Sequence, residues 1–258
     1  MAFELDLSGR RALVTGAGQG VGRGIALALA AAGAEVVVND LDRERADGVV
    51  GEITGGGGSA LSSVFDVTDY AAVAAAVDAF GGADILVNNA GNAGADGFGG
   101  LTPFVETEPA QWEPYLRVNL YGVMHCARAT LPRMVEQGWG RVITIVSDAG
   151  RTGDKNMAAY SAAKAGAAGL GRALALENGR YGITVNSISL GTMRTPISEA
   201  LWADPDNAHA KTLMQRYAVR RPGQPADPAA LAVFLASEQA EWITGQTYPV
   251  NGGFSFAL

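Results

Sequence analysis

Arg11-Ala12-Leu13-Val14-Thr15 is a short apolar run with β character, Gly16-Ala17-Gly18-Gln19-Gly20-Val21-Gly22 follows without a break, and an Ala- and Leu-rich segment to about Ala32 favours helix. No other stretch narrows the fold as much. A strand that turns through glycines directly into a helix leaves bare backbone at the strand's carboxyl end. There a pyrophosphate can approach the amides and the positive end of the helix dipole. The glycines are spaced as TGxxxGxG, with Gly16, Gly20 and Gly22 in the fixed positions and Gln19 and Val21 between them, not as GxGxxG. A glycine turn serving only close helix and strand packing is the competing reading, and the next strand weighs against it. Glu35-Val36-Val37-Val38-Asn39-Asp40 ends in a carboxylate 20 residues after Gly20. An acid there accepts hydrogen bonds from ribose hydroxyls and repels a 2′-phosphate, which favours NAD over NADP as cofactor. Arg43 and Arg45 follow, either as a solvated helix face or as partners within reach of a phosphate.

Strand-like runs recur at Ala60 to Phe65, Asp84 to Val87, Arg141 to Val146, Ile183 to Ser189 and within Ile243 to Val250, with helical segments between them. Seven strands alternating with helices predict an α/β fold. It is a Rossmann-like, doubly wound, mostly parallel sheet flanked by helices, with ligands at its carboxyl edge. At 258 residues and 26.5 kDa the chain has the length of a single domain with a sizeable core. Its 35 glycines are about twice the usual share of roughly 7%, but they sit at turns, so no low-complexity segment is implied.

A net charge of -7 excludes a phosphate-neutralising surface for nucleic acid. Cys126 is the single cysteine, which fits a reducing, cytoplasmic location, and His125 and His209 have no partners at metal-ligand spacing, so no metal is expected. The first six residues are acidic where a signal peptide would be basic. The most apolar run, Ile25 to Val38, is interrupted by Gly33 and Glu35, so no membrane span is expected.

Candidate chemistry lies further along. Arg141 to Val146 delivers Ser147 at a strand's carboxyl end, where its hydroxyl can hydrogen-bond a substrate oxygen. Tyr160 and Lys164 are four apart at the start of a small-residue helix that runs to about Glu177, so they share a face. A cation beside a phenol is expected to pull the phenol's pKa below about 10, which would make it a proton carrier. By itself such a pair more often means a packed ring beside a solvated stem. Asp66-Val67 closes the third strand, with Asp66 near the N-terminus of the next helix. Asn88-Asn89-Ala90-Gly91 closes the fourth strand with small and amide residues suited to backbone contact with a dinucleotide, and a glycine-rich loop over 92–100 reads as part of a substrate mouth. Trp112 to Gln137 reads as a long helical region despite Pro114 and Pro132, with Asn119 as a polar amide among apolar neighbours that needs a partner.

Thr15 to Gly22, Asn88 to Gly91, Asn119, Ser147, Tyr160 and Lys164, in this order and spacing, resemble the classical short-chain dehydrogenase/reductase family from about Leu7 to Gly253. The resemblance implies an NAD-preferring oxidoreductase that transfers hydride between cofactor and a small secondary alcohol or ketone. A 3-oxoacyl thioester reductase is the alternative. It implies Asn119, Ser147, Tyr160 and Lys164 as catalytic, with Lys164 also on the ribose and Asn119 helping to hold that lysine and a relay water. Asp66 and Val67 would border adenine, and Thr195 would contact the carboxamide. Residues about 192–220 would be a substrate lid, and the helix after Lys164 would serve a homo-oligomer, dimer or tetramer. Its small residues equally suit packing on the protein's own sheet. Leu190-Gly191 departs from the family's usual Pro-Gly. Ala257-Leu258 is a further candidate contact with a neighbouring subunit.

Overall fold

Strands apolar on both faces need helices above and below them, and the chain folds accordingly. The computed structural model describes residues 5–92, 102–204 and 206–256. The strands are β1 (Arg11–Val14), β2 (Glu35–Asp40), β3 (Ser59–Val64), β4 (Ile85–Asn88), β5 (Gly140–Ser147), β6 (Ile183–Leu190) and β7 (Thr247–Val250). They form one sheet in the order β3-β2-β1-β4-β5-β6-β7, and every pairing is parallel. The winding reverses between β1 and β4, which opens a crevice at their carboxyl ends.

Alternate strand residues feed two cores. Ala12, Val14, Val36, Val38, Ile143 and Ile145 pack with Ile25 and Leu29 of helix α1 (Gly20–Ala31) and with Ala232 and Leu235 of the last helix. Leu13, Val37, Leu86 and Val142 face the other way, toward Val73, Cys126, Met134 and Ala175. Burial pushes the Cys126 thiol up to about 12, so it behaves as a small apolar side chain. Helices α2 (Arg43–Gly55) and α3 (Tyr70–Ala79) are N-capped by Asp42 and Asp69, each accepting from two amides of the first turn.

The helical region expected from Trp112 begins at Glu113 and is not uniform. A short α4 (Glu113–Leu116) passes through a π turn, Arg117–Tyr121, into α5 (Gly122–Gln137), with Pro132 inside α5. After β5 come a single turn, α6 (Ala149–Thr152), and the long α7 (Ala158–Asn178). Two short helices, α8 (Glu199–Ala203) and α9 (Ala208–Gln215), separate β6 from α10 (Ala226–Ala236). Strand β6 runs through Leu190, whose register partners are Ser147 and Val250. The departure from the family's proline therefore falls on the last ladder residue of an inner strand. No helix among the described residues is long and apolar enough to cross a membrane. Most of the 92–100 loop and both of Ala257-Leu258 lie outside the described residues.

Candidate active site

The glycine turn is clasped from behind. Asn89 Nδ2 donates to the carbonyls of Thr15 and Gly16, both at 2.9 Å, while Thr15 Oγ1 accepts from the amides of Asn89 and Ala90, both at 3.0 Å. Asn39 Oδ1 accepts from the Gly16 amide at 3.3 Å. The glycines are required by these approaches. Gly16 has φ +61°, and a Cβ there would lie 2.9 Å from Ala90 Cα. At Gly22 a Cβ would stand 2.4 Å from Asn89 Nδ2. Gly22 thus serves the close packing of helix and strand, whereas Gly16, Gln19, Gly20 and Val21 line the crevice. Gln19 is the N-cap of α1, with no side-chain cap and no acid in the first turn, so the helix's first amides are left for an anionic group.

Asp40, Asp66, Val67, Ala90, Gly91 and Thr195 line the same crevice, about 400 Å³ in volume. Asp40 is already engaged on one side: Oδ2 accepts from the Gly18 amide at 3.0 Å and Oδ1 from the Asp42 amide at 3.1 Å. Each oxygen keeps a second lone pair for a ribose hydroxyl. Asp66 Oδ1 accepts from the Thr68 amide at 2.8 Å, and the cap of α3 is Asp69, so the two acids divide the work expected near this helix start. Open glycine backbone, uncapped amides and an acid at the end of β2 fit a dinucleotide. Asn88 does not join them. Its side chain is buried between β4 and β5, with Nδ2 3.5 Å from Thr144 Oγ1 and Oδ1 unpartnered. Alternation along a strand sends neighbouring side chains to opposite faces, and it is Asn89 that reaches the crevice.

A second cleft, about 560 Å³, shares Val21, Asn89, Gly91 and Thr195 with the first and brings together Ser147, Tyr160 and Lys164. Ser147 ends β5 and its Oγ accepts from the Ala149 amide at 3.2 Å. Lys164 is 6% exposed, and its Nζ donates to the Ile145 carbonyl at 2.9 Å and lies 5.9 Å from the centroid of the Tyr160 ring. Burial drops its pKa to about 8. The Tyr160 phenol differs from expectation: burial pushes its pKa above 10, a hydrogen bond with Ser147 works in the opposite direction, and the Asp154 charge adds to the rise. Desolvation of the phenolate outweighs its polar neighbours.

Asn119 is fully buried in the π turn. Its Nδ2 donates to the carbonyls of Tyr115 (3.0 Å) and Asn92 (2.8 Å) and to Asn92 Oδ1 (2.9 Å). The amide is thus satisfied by its own helix and by the chain leaving β4, and it does not bond Lys164. The two approach each other over Gly91, where a Cβ would lie 2.9 Å from Asn119 Oδ1 and 3.2 Å from Lys164 Nζ. The widened turn that frees the Tyr115 carbonyl was not visible in the residue pattern, and such bulges often mark functional sites.

Thr15, Asn39 and Asn89 around the glycine turn, and Asp148, Asp154, Met157 and Tyr217 in the second cleft, were not singled out as site residues from the sequence. Asn89 had a signal, since it stands inside Asn88 to Gly91. Thr15 had one too, as the first residue of the TGxxxGxG pattern, and the others are assembled by folding. Among the described residues no cluster of His, Cys, Asp and Glu is placed to hold a metal. His125 Nδ1 is 2.9 Å from the Val67 carbonyl.

A nucleotide crevice joined to a Ser/Tyr/Lys cleft on an all-parallel sheet defines a nicotinamide-linked oxidoreductase. Residues 16–255 match a short-chain alcohol dehydrogenase family model described as Enoyl-(Acyl carrier protein) reductase. The chain is 39% identical over 255 residues to (2S)-[(R)-hydroxy(phenyl)methyl]succinyl-CoA dehydrogenase subunit BbsD of Thauera aromatica, covering 97% of this chain and 98% of that protein. Among solved structures, it is similar to a gluconate 5-dehydrogenase from Burkholderia cenocepacia J2315 in complex with NADP and tartrate, with TM-score 0.90, 36% identity and coverage of 99% and 98% of the two chains. It is also similar to a 3-oxoacyl-[acyl-carrier protein] reductase with bound NAD from Brucella melitensis, with TM-score 0.89, 34% identity and coverage of 98% and 94%. The chain belongs to the classical short-chain dehydrogenase/reductase family. It is an oxidoreductase that interconverts alcohols and carbonyl compounds with a nicotinamide cofactor.

Proposed function

We propose that this chain oxidises a small secondary alcohol, or reduces the matching ketone, with Tyr160 as proton carrier, Ser147 as partner of the reacting oxygen and Lys164 as the cation that favours phenolate. The convergence of these three side chains beside the glycine crevice carries the proposal. The bound nicotinamide accepts or supplies the hydride. In the oxidative direction Tyr160 Oη takes the hydroxyl proton while Ser147 Oγ donates to the same oxygen. A protonated Lys164, whose Nζ lies 5.9 Å from the centroid of the Tyr160 ring, favours phenolate and opposes the burial penalty. Lys164 would also bind the ribose, and Asn119 would hold the chain around Asn92 against the site. Residues 192–220, carrying α8 and α9, are read as a lid on one dinucleotide-binding domain.

Charge favours an uncharged alcohol. Of the charged residues lining the cleft, Asp148 is paired with Arg151, Asp154 has no ion-pair partner among the described residues, and Lys164 is turned toward Tyr160 and the Ile145 carbonyl. The 3-oxoacyl thioester reaction is the second reading, supported by the Brucella relative. Turnover over a panel of secondary alcohols, hydroxysteroids, gluconate and 3-hydroxyacyl thioesters separates the two.

NAD is the proposed cofactor, on the strength of Asp40, although the gluconate relative holds NADP. A 2′-phosphate would lose the ribose bonds and meet a carboxylate fixed by two amides, a difference of about 2 to 4 kcal/mol, or roughly 30- to 1000-fold. Arg45 pairs with Asp42 at 3.2 Å, an exposed contact that competes only weakly with a phosphate. The expected result is kcat/KM favouring NAD in the wild type and a narrower ratio in Asp40→Ala, mainly through weaker NAD. A wild-type NADP preference abolished in the double Arg43→Ala, Arg45→Ala variant would reverse the assignment.

A homo-oligomer is proposed through α5 and α7. Both helices leave large apolar side chains on the surface, Met124 at 44% and Leu176 at 88% exposure. Light scattering at micromolar concentration is expected to give a dimer or tetramer mass, and a monomer mass removes this support.

A further inference from the structure

Asp148 follows Ser147 directly, is 3% exposed, and has its carboxylate filled by donors from distant parts of the chain. Oδ1 accepts from Ser189 Oγ at 2.7 Å and Arg151 Nη1 at 3.2 Å, and Oδ2 accepts from Asn251 Nδ2 at 2.6 Å and Ser255 Oγ at 2.9 Å. The Asp148 amide donates to the Leu190 carbonyl at 3.0 Å, and its own carbonyl accepts from the Arg151 and Thr152 amides. Asn251 and Ser255 lie beyond β7, 103 and 107 residues away in sequence. Their segment is cross-linked in turn. Asn251 Nδ2 donates to the Ser255 carbonyl at 2.9 Å, Arg151 Nη1 to Ser255 Oγ at 3.0 Å, and Arg151 Nη2 to the Phe256 carbonyl at 3.0 Å.

A buried carboxylate with this many partners is a poor device for stability, since well-packed apolar groups often serve as well. Its distinctive physical result is a fixed geometry, because each donor constrains the acceptor from a different direction. What is fixed here is the turn that starts at Ser147: Ala149, whose amide donates to Ser147 Oγ, is the next residue after Asp148.

We infer that the segment from Asn251 to Phe256 is part of the active site, acting through Asp148 as a positioning element that holds the Ser147 hydroxyl toward Tyr160. Asp148, Asn251 and Ser255 are positioning residues, and the inference rests on the proposed pairing of Ser147 with Tyr160. That pairing supplies a specific readout. The Ser147 hydrogen bond lowers the Tyr160 pKa, so a displaced Ser147 raises it, and the pH profile of kcat/KM for alcohol oxidation, which reports the enzyme before substrate takes the Ser147 proton, then shifts upward.

The test uses the full chain with Ser147→Ala, Asn251→Ala, Ser255→Ala and Ser255→Thr, measuring kcat and KM from about pH 6 to 10 together with melting temperature. Either tail change leaves Asp148 three of its four donors, and Ser255→Ala is the milder because Asn251→Ala also removes the bonds that hold Ser255. Asn251→Ala and Ser255→Ala are expected to lower kcat by about tenfold, leave the cofactor KM within about twofold, and shift the pH profile upward in the same direction as Ser147→Ala. Ser255→Thr, which keeps the hydroxyl, is expected to restore both rate and profile. If the tail variants only lower the melting temperature, while kcat and the pH profile match wild type below it, the inference is wrong although the Ser147 pairing stands. If Ser147→Ala itself matches wild type, the catalytic pairing fails and this inference falls with it.

Discussion

Tyr160→Phe is expected to retain the fold and cofactor binding while losing turnover by on the order of 10² to 10⁴-fold, the usual contribution of a positioned acid or base. The ring meets Tyr115 edge-on at 6.3 Å between centroids and sits over the Lys164 ammonium, and phenylalanine preserves both contacts. Only the hydroxyl, and with it the proton carrier, is removed. Cofactor titration by fluorescence and steady-state rates on the same preparation separate binding from chemistry. Turnover within tenfold of wild type would end the mechanism. The pH dependence has a definite sign. Burial and Asp154 raise the phenol's pKa, so alcohol oxidation, which needs phenolate, is expected to gain rate on the alkaline side of neutrality. Ketone reduction, which needs the phenol, is expected to lose rate there.

Lys164→Met is expected to lower turnover by at least about 10²-fold, because it removes the charge that favours phenolate and the proposed ribose contact. It also has an opposite consequence for stability. Methionine matches the stem in volume, and the charge it removes is one that the fold buries. A lysine whose pKa falls from 10.5 to about 8 on folding reports a burial penalty of about 3 kcal/mol. Below about pH 8 both folded and unfolded forms carry the proton, and the penalty is present in full. Between about 8 and 10.5 the unfolded chain holds the proton that the folded chain has released, so stability from this group rises with pH. The difference in unfolding free energy between wild type and Lys164→Met is therefore expected to move in favour of wild type by about 2 to 3 kcal/mol from pH 7 to 10. The orphaned Ile145 carbonyl, worth about 1 to 3 kcal/mol, offsets part of the variant's gain at pH 7 but drops out of the pH slope. Denaturant unfolding at the two pH values checks it, and a difference independent of pH would show that burial does not lower the Lys164 pKa.

Much of the site was legible because it is local. Gly16 to Gly22 lie on one turn, Tyr160 and Lys164 are one helical turn apart, and Ser147 and Asp40 are the ends of apolar runs. Where the reading missed, longer-range physics decided. Asn88 and Asn89 are adjacent and chemically identical, yet the first is buried against Thr144 and the second clasps Thr15 and Gly16. Which one faces the crevice depends on where the strand ends and its alternation is lost. Asn119 was recognisable as an amide in need of partners, but the π turn and Asn92 that supply them were not. The Tyr160 pKa was expected low from the neighbouring cation, whereas burial, which periodicity does not measure, dominates.

By itself the sequence determined the alternation of strands and helices, the glycine turn and the helical spacing that puts Tyr160 and Lys164 on one face. Each of these follows from backbone preference and spacing within a few residues. Only the tertiary structure decided which groups share a desolvated space. Lys164 was brought under the Ile145 carbonyl, Arg141 of β5 was buried with its guanidinium on the carbonyls of Gly140, Gly182 and Ser237, and Asp148 was joined to Asn251 and Ser255 from the far end of the chain. The physical reason is that a charge removed from water must find its partners wherever the packed chain places them. In a parallel sheet those partners come from strands and loops that sequence separation does not reveal.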